Sequence, residues 1–469
     1  MSDIVIGEFL EFSGDWHLPF ADGSACSKVQ GNFKWADRKG QLQLFGTFMP
    51  TKSGPLTAAG PTQHPVIHGE TTSSKHVTML DTLSVGTNIT NAEAGFKARD
   101  SYESRQCIIG AHVTADTVYR KLTYRIPGLF IWLGAKGASI SFTNELPHNF
   151  TYSFDGNNRE LLNFSEANLA VELGIKRELP MALGATLKIQ SYGYLSIIPN
   201  FPQTLEWMIN EAAKVVAMLS TIAGAPMFPD AISAFLPDGS EVGMLIALNS
   251  RSNCEFTHPH EFFVSRDAIG LDLQKITTKW LAAYDKLMLP TQLALSVFSS
   301  NNLWLHVEFI SLMQALEGLH RASLPGKYLS DGDYLEIVKV LNAAIPSSFD
   351  DNFRESLKSR IRYGNEYSLR KRLKEMVDPL PTSIKLLILQ GQIVPGQWVD
   401  TRNYYTHWDE SARASALDGA AMHHACVRMK LLLRVLILFE IGVSEELLVS
   451  ALQGTNTESQ YLLQLNRSK

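Results

Sequence analysis

The segment 398–410 carries the densest group of side chains that could do chemistry. Its sequence, WVDTRNYYTHWDE, includes Arg402, Asn403, Tyr405 and His407. Histidine can move protons near neutral pH because its ordinary pKa is about 6.5. Arginine keeps its charge, and its planar fork can bond two phosphate oxygens. These residue types suit metal-free RNA cleavage, in which the ribose 2′-OH attacks its own phosphate.

The elements around this segment decide whether Arg402 and His407 can meet. On a straight helix a residue and its fifth successor lie about 140° apart, so the two would not share a face. Residues 395–396 are Pro-Gly, and the next strong helical stripe begins near Leu417. We therefore expect a polar loop between two apolar helices, with Arg402 and His407 converging at a helix start or a break in a helix.

Three neighbours of this pair have two interpretations each. Asn403 could orient the phosphate or the histidine, or it could cap a helix locally. Asp400 and Asp409 could set the tautomer of the histidine, although solvated acids in a loop are the commoner case.

Residues 354–374 form the one clear basic concentration in the chain. Eight basic and two acidic side chains give this stretch a charge of +6, and Tyr363 and Tyr367 lie within it. Basic side chains bind phosphates and aromatic rings stack on bases, so the stretch predicts RNA binding, with a solvated helix face as the open alternative. The residues that we expect to bind substrate are Arg360, Arg362, Arg370, Arg372 and Tyr405.

The composition of the whole chain sets wider limits. It has 469 residues, 45% of them hydrophobic, and a net charge of −5. This predicts two or three folded domains and excludes disorder and a histone-like coat protein. The N-terminus lacks the pattern of a secretion signal, and the four cysteines lie far apart. No run reaches the roughly 20 apolar residues of a membrane span, so we expect a cytoplasmic protein with no membrane partner.

Most catalytic signatures are absent: there is no GxSxG, GxGxxG, HExxH or Walker A motif. Cys254, His258 and His260 are residue types that bind zinc, but no fourth ligand is apparent, and a polar turn is the favoured interpretation. A metal-dependent enzyme at these residues stays open as an alternative. We predict no metal and no cofactor.

Residues 1–200 read as β-structure because short alternating apolar runs are separated by turn residues. Leu42 and Leu44 alternate at period two, and the apolar run 128–134 predicts a strand covered on both faces. Residues 201–224 predict an amphipathic helix, and 241–264 return to strand character. This half is expected to form a β-rich sandwich or barrel.

From about residue 272 the chain reads as helices. Apolar stripes recur at 305–319 and 422–436, and further helices are predicted near 333–343, 351–376 and 382–391. The predicted fold class is α+β with several domains. A β-rich domain with a helix covers 1–295, and an all-α bundle covers 296–469.

Three motifs in order resemble the ApeA-type HEPN domain: FISLMQALEGLHR at 309–321, YGNEYSLRKRL at 363–373 and VDTRNYYTHWD at 399–409. The residues before about 290 resemble, more loosely, the β-rich domain that accompanies it. The resemblance implies anti-phage defence by abortive infection and a HEPN helical bundle that is a metal-independent endoribonuclease.

The resemblance also implies roles and partners. His407 would be the acid/base and Arg402 would stabilise the phosphate, with Asn365, Glu366 and Glu317 as supporting residues. RNA, with tRNA favoured, would be the substrate, and a homodimer would bring two such motifs to one cleft. A phage-derived protein is a candidate trigger for the N-terminal domain. The alternative is a non-catalytic HEPN module that binds RNA or nucleotide, or that dimerises in a regulatory complex.

Overall fold

The computed structural model describes residues 5–19, 28–48, 63–92, 95–134, 138–142, 150–154, 159–178, 190–247, 256–300, 302–391 and 393–467. The chain divides into two compact units. The barrel unit comprises Met1–Val216 and Pro226–Pro259, and the helical unit comprises Ala217–Ala225 and His260–Lys469. None of the helices in the described ranges combines the length and apolarity that a membrane span needs.

The strands of the described residues belong to the barrel unit. They are β1 Leu10–His17, β2 Val29–Ala36, β3 Lys39–Leu44, β4 Gln63–Thr71, β5 His76–Ala92, β6 Gly95–Ser104, β7 Gln106–Ile109, β8 Val118–Tyr119, β9 Lys121–Ile126, β10 Ala138–Phe142, β11 Phe150–Phe154, β12 Arg159–Phe164, β13 Leu169–Glu178, β14 Gln190–Pro199, β15 Gln203–Thr204, β16 Ala231–Phe235 and β17 Glu241–Ile246.

The helices follow the same order along the chain. They are α1 Pro127–Trp132, α2 Leu205–Ala223, α3 Arg266–Ile269, α4 Leu273–Phe298, α5 Leu305–Ser323, α6 Asp331–Ala343, α7 Asp351–Arg362, α8 Leu369–Val377, α9 Thr382–Leu389, α10 Gly396–His407, α11 Gly419–Glu440, α12 Glu445–Leu452 and α13 Thr457–Arg467.

The first six strands close into an antiparallel barrel in the order β1, β2, β3, β6, β5, β4. Closure satisfies the backbone groups that an open sheet would leave unpaired at its edges. Trp16, Phe33, Leu42 and Leu44 are buried inside. The predicted barrel and the period-two alternation of Leu42 and Leu44 are therefore confirmed.

The remaining strands of the large sheet continue from β5 in the order β7, β17, β16, β9, β14, β13, β12. The run 128–134, predicted as a strand, is instead largely the helix α1, and that prediction is wrong. Pro127 opens α1, where a helix needs no backbone N–H. The helix packs on β14 at Gly193, where a Cβ would lie 2.4 Å from the backbone nitrogen of Phe130.

The predicted helix over 201–224 is confirmed as α2, which ends at Ala223, before Gly224 with φ at 69°. Of the strand character predicted over 241–264, the described residues, 241–247 and 256–264, include the strand β17. Phe263 and Val264 do not join the sheet, because their backbone N–H groups donate to the carbonyls of Ala223 and Ile222 at the end of α2. They satisfy helix-end carbonyls that would otherwise lack partners.

In the helical unit, α5 packs against α4, α8, α10 and α11. The predicted stripes of α5 and α11 are buried, for example at Leu312, Leu316 and Leu433. The single helix predicted over 351–376 is divided into α7 and α8. The compact units divide at 259/260, before the expected boundary at 295/296, because α4 packs on α5 and α11. As a division of function, the expected boundary stays a prediction.

Candidate active site

The predicted catalytic pair lies on one helix, α10, and not in a loop. Arg402 Nη1 donates to His407 Nε2 at 3.2 Å. The helix ends at His407 because Trp408 takes a left-handed conformation, with φ at 53°. The expected convergence at a helix start or break is therefore wrong. The two residues meet at the C-terminal end of the helix, where the long arginine side chain spans the angle between their positions.

This contact sets the tautomer of His407. A guanidinium has only donors, so Nε2 accepts and keeps its lone pair, and the ring proton of the neutral imidazole lies on Nδ1. Neither Asp400 nor Asp409 is hydrogen-bonded to His407 within the described ranges. Asp400 pairs with Arg370 at 3.3 Å. The Ser411 hydroxyl and backbone N–H donate to Asp409, and these bonds hold the pKa of Asp409 below its usual range.

Two side chains hold the fork of Arg402. Arg402 Nη1 donates to Asn403 Oδ1 at 3.3 Å, and Arg402 Nη2 lies 3.5 Å from Glu317 Oε2. Glu317 projects from α5 and also accepts from Arg321 Nε at 3.1 Å. Asn403 thus contacts Arg402 and does not cap a helix, and the expected support from Glu317 is a direct contact.

The contacts continue away from Arg402. Arg321 Nη1 donates to Glu366 Oε2 at 2.9 Å, and the same oxygen accepts from Arg372 Nη2 at 3.1 Å. Arg372 Nη1 donates to His320 Nδ1 at 3.1 Å, and His320 Nε2 lies 2.7 Å from Glu375 Oε2. We call this series the ion-pair chain; its members are His407, Arg402, Glu317, Arg321, Glu366, Arg372, His320 and Glu375.

Sequence reasoning missed Arg321 and Glu375. Arg321 follows Glu317 by four positions on α5, a spacing at which opposite charges meet on a helix, so it could have been found. Glu375 follows Arg372 by three positions, but its partner His320 comes from another helix. No local pattern indicates that contact.

The predicted substrate arginines divide into two groups. Arg360, Arg362 and Arg370 are exposed. Arg372 is only 2% exposed, and its guanidinium is bonded to Glu366, His320 and the carbonyl of Tyr367. The expectation that Arg372 contacts substrate is therefore wrong, because its donors already have protein partners.

Asn365 supports a different segment from the one expected. Its side-chain amide donates to the carbonyl of Leu329 and accepts from the N–H of the same residue, both at 2.9 Å. The Tyr328 N–H donates to the Asn365 carbonyl at 3.0 Å. Asn365 thus fixes the chain between α5 and α6. Among the described residues, Glu366 is linked to Arg402 through Arg321 and Glu317.

A row of aromatic rings runs beside the Arg402–His407 pair. Tyr405 stacks on His306 with ring centres 5.7 Å apart, and Tyr404 lies 5.0 Å from Tyr405. Trp304 and Trp408 flank these rings and are 75% and 73% exposed. We call these five residues the aromatic row. The sequence analysis singled out only Tyr405 in this row, although Trp408 directly follows His407.

The predicted zinc alternative cannot be placed as a set, because Cys254 lies outside the described residues. His258 and His260 are exposed. The arrangement on α10 can supply a proton acceptor at His407 and a positively charged fork at Arg402.

Comparison with protein families matches both halves of the chain. Residues 310–447 match the model of the Apea-like HEPN domain, and residues 11–280 match ApeA N-terminal domain 1. Neither a search of curated proteins nor a search of solved structures found a match. HEPN domains are typically ribonucleases that dimerise, which suggests a nuclease role in defence. Because the two models together cover most of its length, the chain belongs to the ApeA-type HEPN defence proteins.

Proposed function

We propose that the helical unit is a metal-independent endoribonuclease that cleaves RNA, with tRNA as the favoured substrate, in anti-phage abortive infection. The observation that carries the proposal is the contact between Arg402 and His407 at 3.2 Å, beside the acid Glu317. A proton acceptor and a phosphate-binding fork are thereby held within reach of one reacting group.

The chemistry needs two proton transfers. When RNA binds, Arg402 turns its fork from His407 to the scissile phosphate, which frees the lone pair of Nε2. His407 then takes the proton of the 2′-OH, and the 2′ oxygen attacks phosphorus. The bond from phosphorus to the 5′ oxygen breaks, and an imidazolium returns a proton to that oxygen. The products are a 2′,3′-cyclic phosphate and a 5′-OH, and DNA is not a substrate because it lacks the 2′-OH.

Substrate contacts are proposed for the exposed arginines of α7 and α8 and for the aromatic row. Arg370 lies over the start of α10 beside Asp400, and Arg360 and Arg362 end α7. These cations would bind phosphates, and Tyr405 with the rest of the aromatic row would stack on unpaired bases. Such contacts suit the loops and ends of a folded RNA.

A homodimer is part of the proposal. The helix α6 has no buried residue and exposes Leu335, Val340 and Leu341, and Phe349 and Phe353 are exposed beside it. An apolar surface of this kind favours a partner that covers it. A second copy would bring its own histidine as the acid for the leaving 5′ oxygen. The barrel unit would act as the sensing module for a phage-derived trigger.

The test compares the wild type with three variants on total cellular RNA and purified tRNA in EDTA. We expect His407→Ala to lower the cleavage rate about 10²–10⁴-fold and Arg402→Lys about 10²–10³-fold. His423→Ala, at an exposed histidine of α11, is the matched control and should cleave normally. Chemical mapping of the new ends should find 2′,3′-cyclic phosphates.

Cleavage by His407→Ala at the wild-type rate would overturn the catalytic assignment. Tight RNA binding with no cleavage, even in cells infected by phage, would favour the non-catalytic alternative. Loss of cleavage in EDTA, restored by added metal, would contradict metal independence.

A further inference from the structure

Three histidines from separate parts of the barrel unit lie together. His17, at the end of β1, is paired across the sheet with His68 of β4, and His112 follows β7. One ring nitrogen of each lies within 4.8 Å of those of the other two. The ring of His76, the first residue of β5, lies 4.4 Å from that of His112. Sequence positions this far apart give no local motif.

The hydrogen bonds of these rings leave lone pairs unused. His68 Nε2 donates to the carbonyl of Val113 at 2.9 Å, and His112 Nε2 donates to the carbonyl of Gly69 at 3.0 Å. Each neutral ring therefore keeps a lone pair on Nδ1. Histidines that bind metals commonly donate their other N–H to a carbonyl in this way, which fixes the tautomer.

His17 provides an independent observation. It is 7% exposed, and its Nδ1 atom is buried without a hydrogen-bond partner. A buried polar atom normally has a partner, so an atom without one calls for an explanation such as an ion. The acid beside the cluster, Glu70, is paired with Lys28 at 2.9 Å and supplies no hydrogen bond to His17.

We propose that His17, His68 and His112 bind a zinc ion. Three imidazoles are a ligand set that zinc accepts, with a fourth position for water or for His76. The rings of His68 and His112 are parallel at 4.5 Å, so their in-plane lone pairs cannot point at one ion as they stand. The exposed His112 ring turns to bind, so its bond to Gly69 belongs to the metal-free site, whereas His68 keeps the bond to Val113 that fixes its tautomer.

Such a site would tie the turn after β7 to β1 and β4. It is separate from the proposed RNA cleavage, whose residues all lie in the helical unit. Its presence is therefore tested by metal content and by spectroscopy, and neither measurement depends on cleavage.

The experiment measures the zinc content of the full chain by mass spectrometry and then titrates the metal-free protein with Co²⁺. We expect about one zinc ion per chain and visible Co²⁺ absorption typical of tetrahedral coordination. His112→Gln should lose both signals while keeping its fold, because His112 is exposed. Added zinc should raise the Tm of the wild type and not that of His112→Gln.

Two further variants keep the test decisive. His423→Gln should bind zinc normally, and so should Cys254→Ser, which removes the zinc set considered from the sequence. A wild type that holds no zinc and gives no Co²⁺ absorption would overturn the proposal. Zinc lost by Cys254→Ser and kept by His112→Gln would overturn it as well.

Discussion

The helical unit and the barrel unit both gather titratable side chains, and they satisfy them in different ways. Along the ion-pair chain, arginines alternate with acids or imidazoles, so each charge has a neighbour that it attracts. In the barrel, three imidazoles face one another, and the adjacent Glu70 is occupied by Lys28. The side chains of the ion-pair chain bond to one another, whereas the imidazoles in the barrel keep lone pairs that can bind a ligand.

This difference indicates what each group can do. A series of paired charges limits the directions that its members can take, and the fork of Arg402 is held near one end of such a series until RNA binds. Neutral imidazoles with free lone pairs do not orient one another by opposite charge, but together they can bind a cation. The first arrangement suits a group that must point at a substrate, and the second suits a ligand site.

The largest effect is expected where the paired arrangement is most buried. Arg372→Met removes a buried charge and leaves His320 Nδ1 and the Tyr367 carbonyl without their donor, while Glu366 loses one of its two arginine donors and keeps Arg321. We expect the free energy of unfolding to fall by about 3–5 kcal/mol. Chemical denaturation followed by circular dichroism measures the loss.

Arg360→Met is the matched control, since Arg360 is exposed at the end of α7. It should change the free energy of unfolding by no more than about 0.5 kcal/mol. Equal changes in the free energy of unfolding for the two variants would show that the ion-pair chain adds no stability beyond that of a surface arginine. The proposed difference between the two units would then be wrong.

A smaller effect concerns exposed aromatic residues in the two units. Trp408 of the aromatic row is 73% exposed, and Phe201 of the barrel unit is 74% exposed. If the row stacks on bases, Trp408→Ala should weaken binding of single-stranded RNA by about 1–3 kcal/mol, or about 5- to 150-fold in Kd. Binding is measured in a His407→Ala background so that the RNA stays intact.

Phe201→Ala in the same background should leave Kd unchanged. If both substitutions weaken binding equally, exposure alone would explain the effect, and the aromatic row would have no special part in it.

Local periodicity accounts for what the sequence predicted well. The alternation of Leu42 and Leu44 and the stripe of α5 follow from which face each element buries. The types of Arg402 and His407 indicated their chemistry, but α10 has few apolar positions and looked like a loop. The helix α10 is stabilised by packing on α5, a contact that residues close in the sequence do not predict.

Contacts between distant residues account for what was missed. Charge composition could not show which arginine of 354–374 is buried, because the partners of Arg372 include His320 on another helix. The cluster of His17, His68 and His112 depends on strand pairing in the barrel. In both cases the decisive partners lie tens of positions away along the chain.

The smallest effect is expected from the protonation of His320, because a single proton binds at this side chain. Burial lowers the pKa of His320, Arg372 and Arg321 act in the same direction, and Glu375 opposes them. As pH falls below about 6.5, the unfolded chain therefore binds a proton at this histidine before the folded chain does. The free energy of unfolding should fall across this range, and a protonated ring could no longer accept from Arg372.

Denaturation midpoints at a series of pH values measure the effect. His320→Asn should show a flatter pH dependence than the wild type, whereas His423→Asn, at an exposed position, should not. Parallel curves for the wild type and His320→Asn would mean that the buried imidazole is not what couples the helical unit to pH.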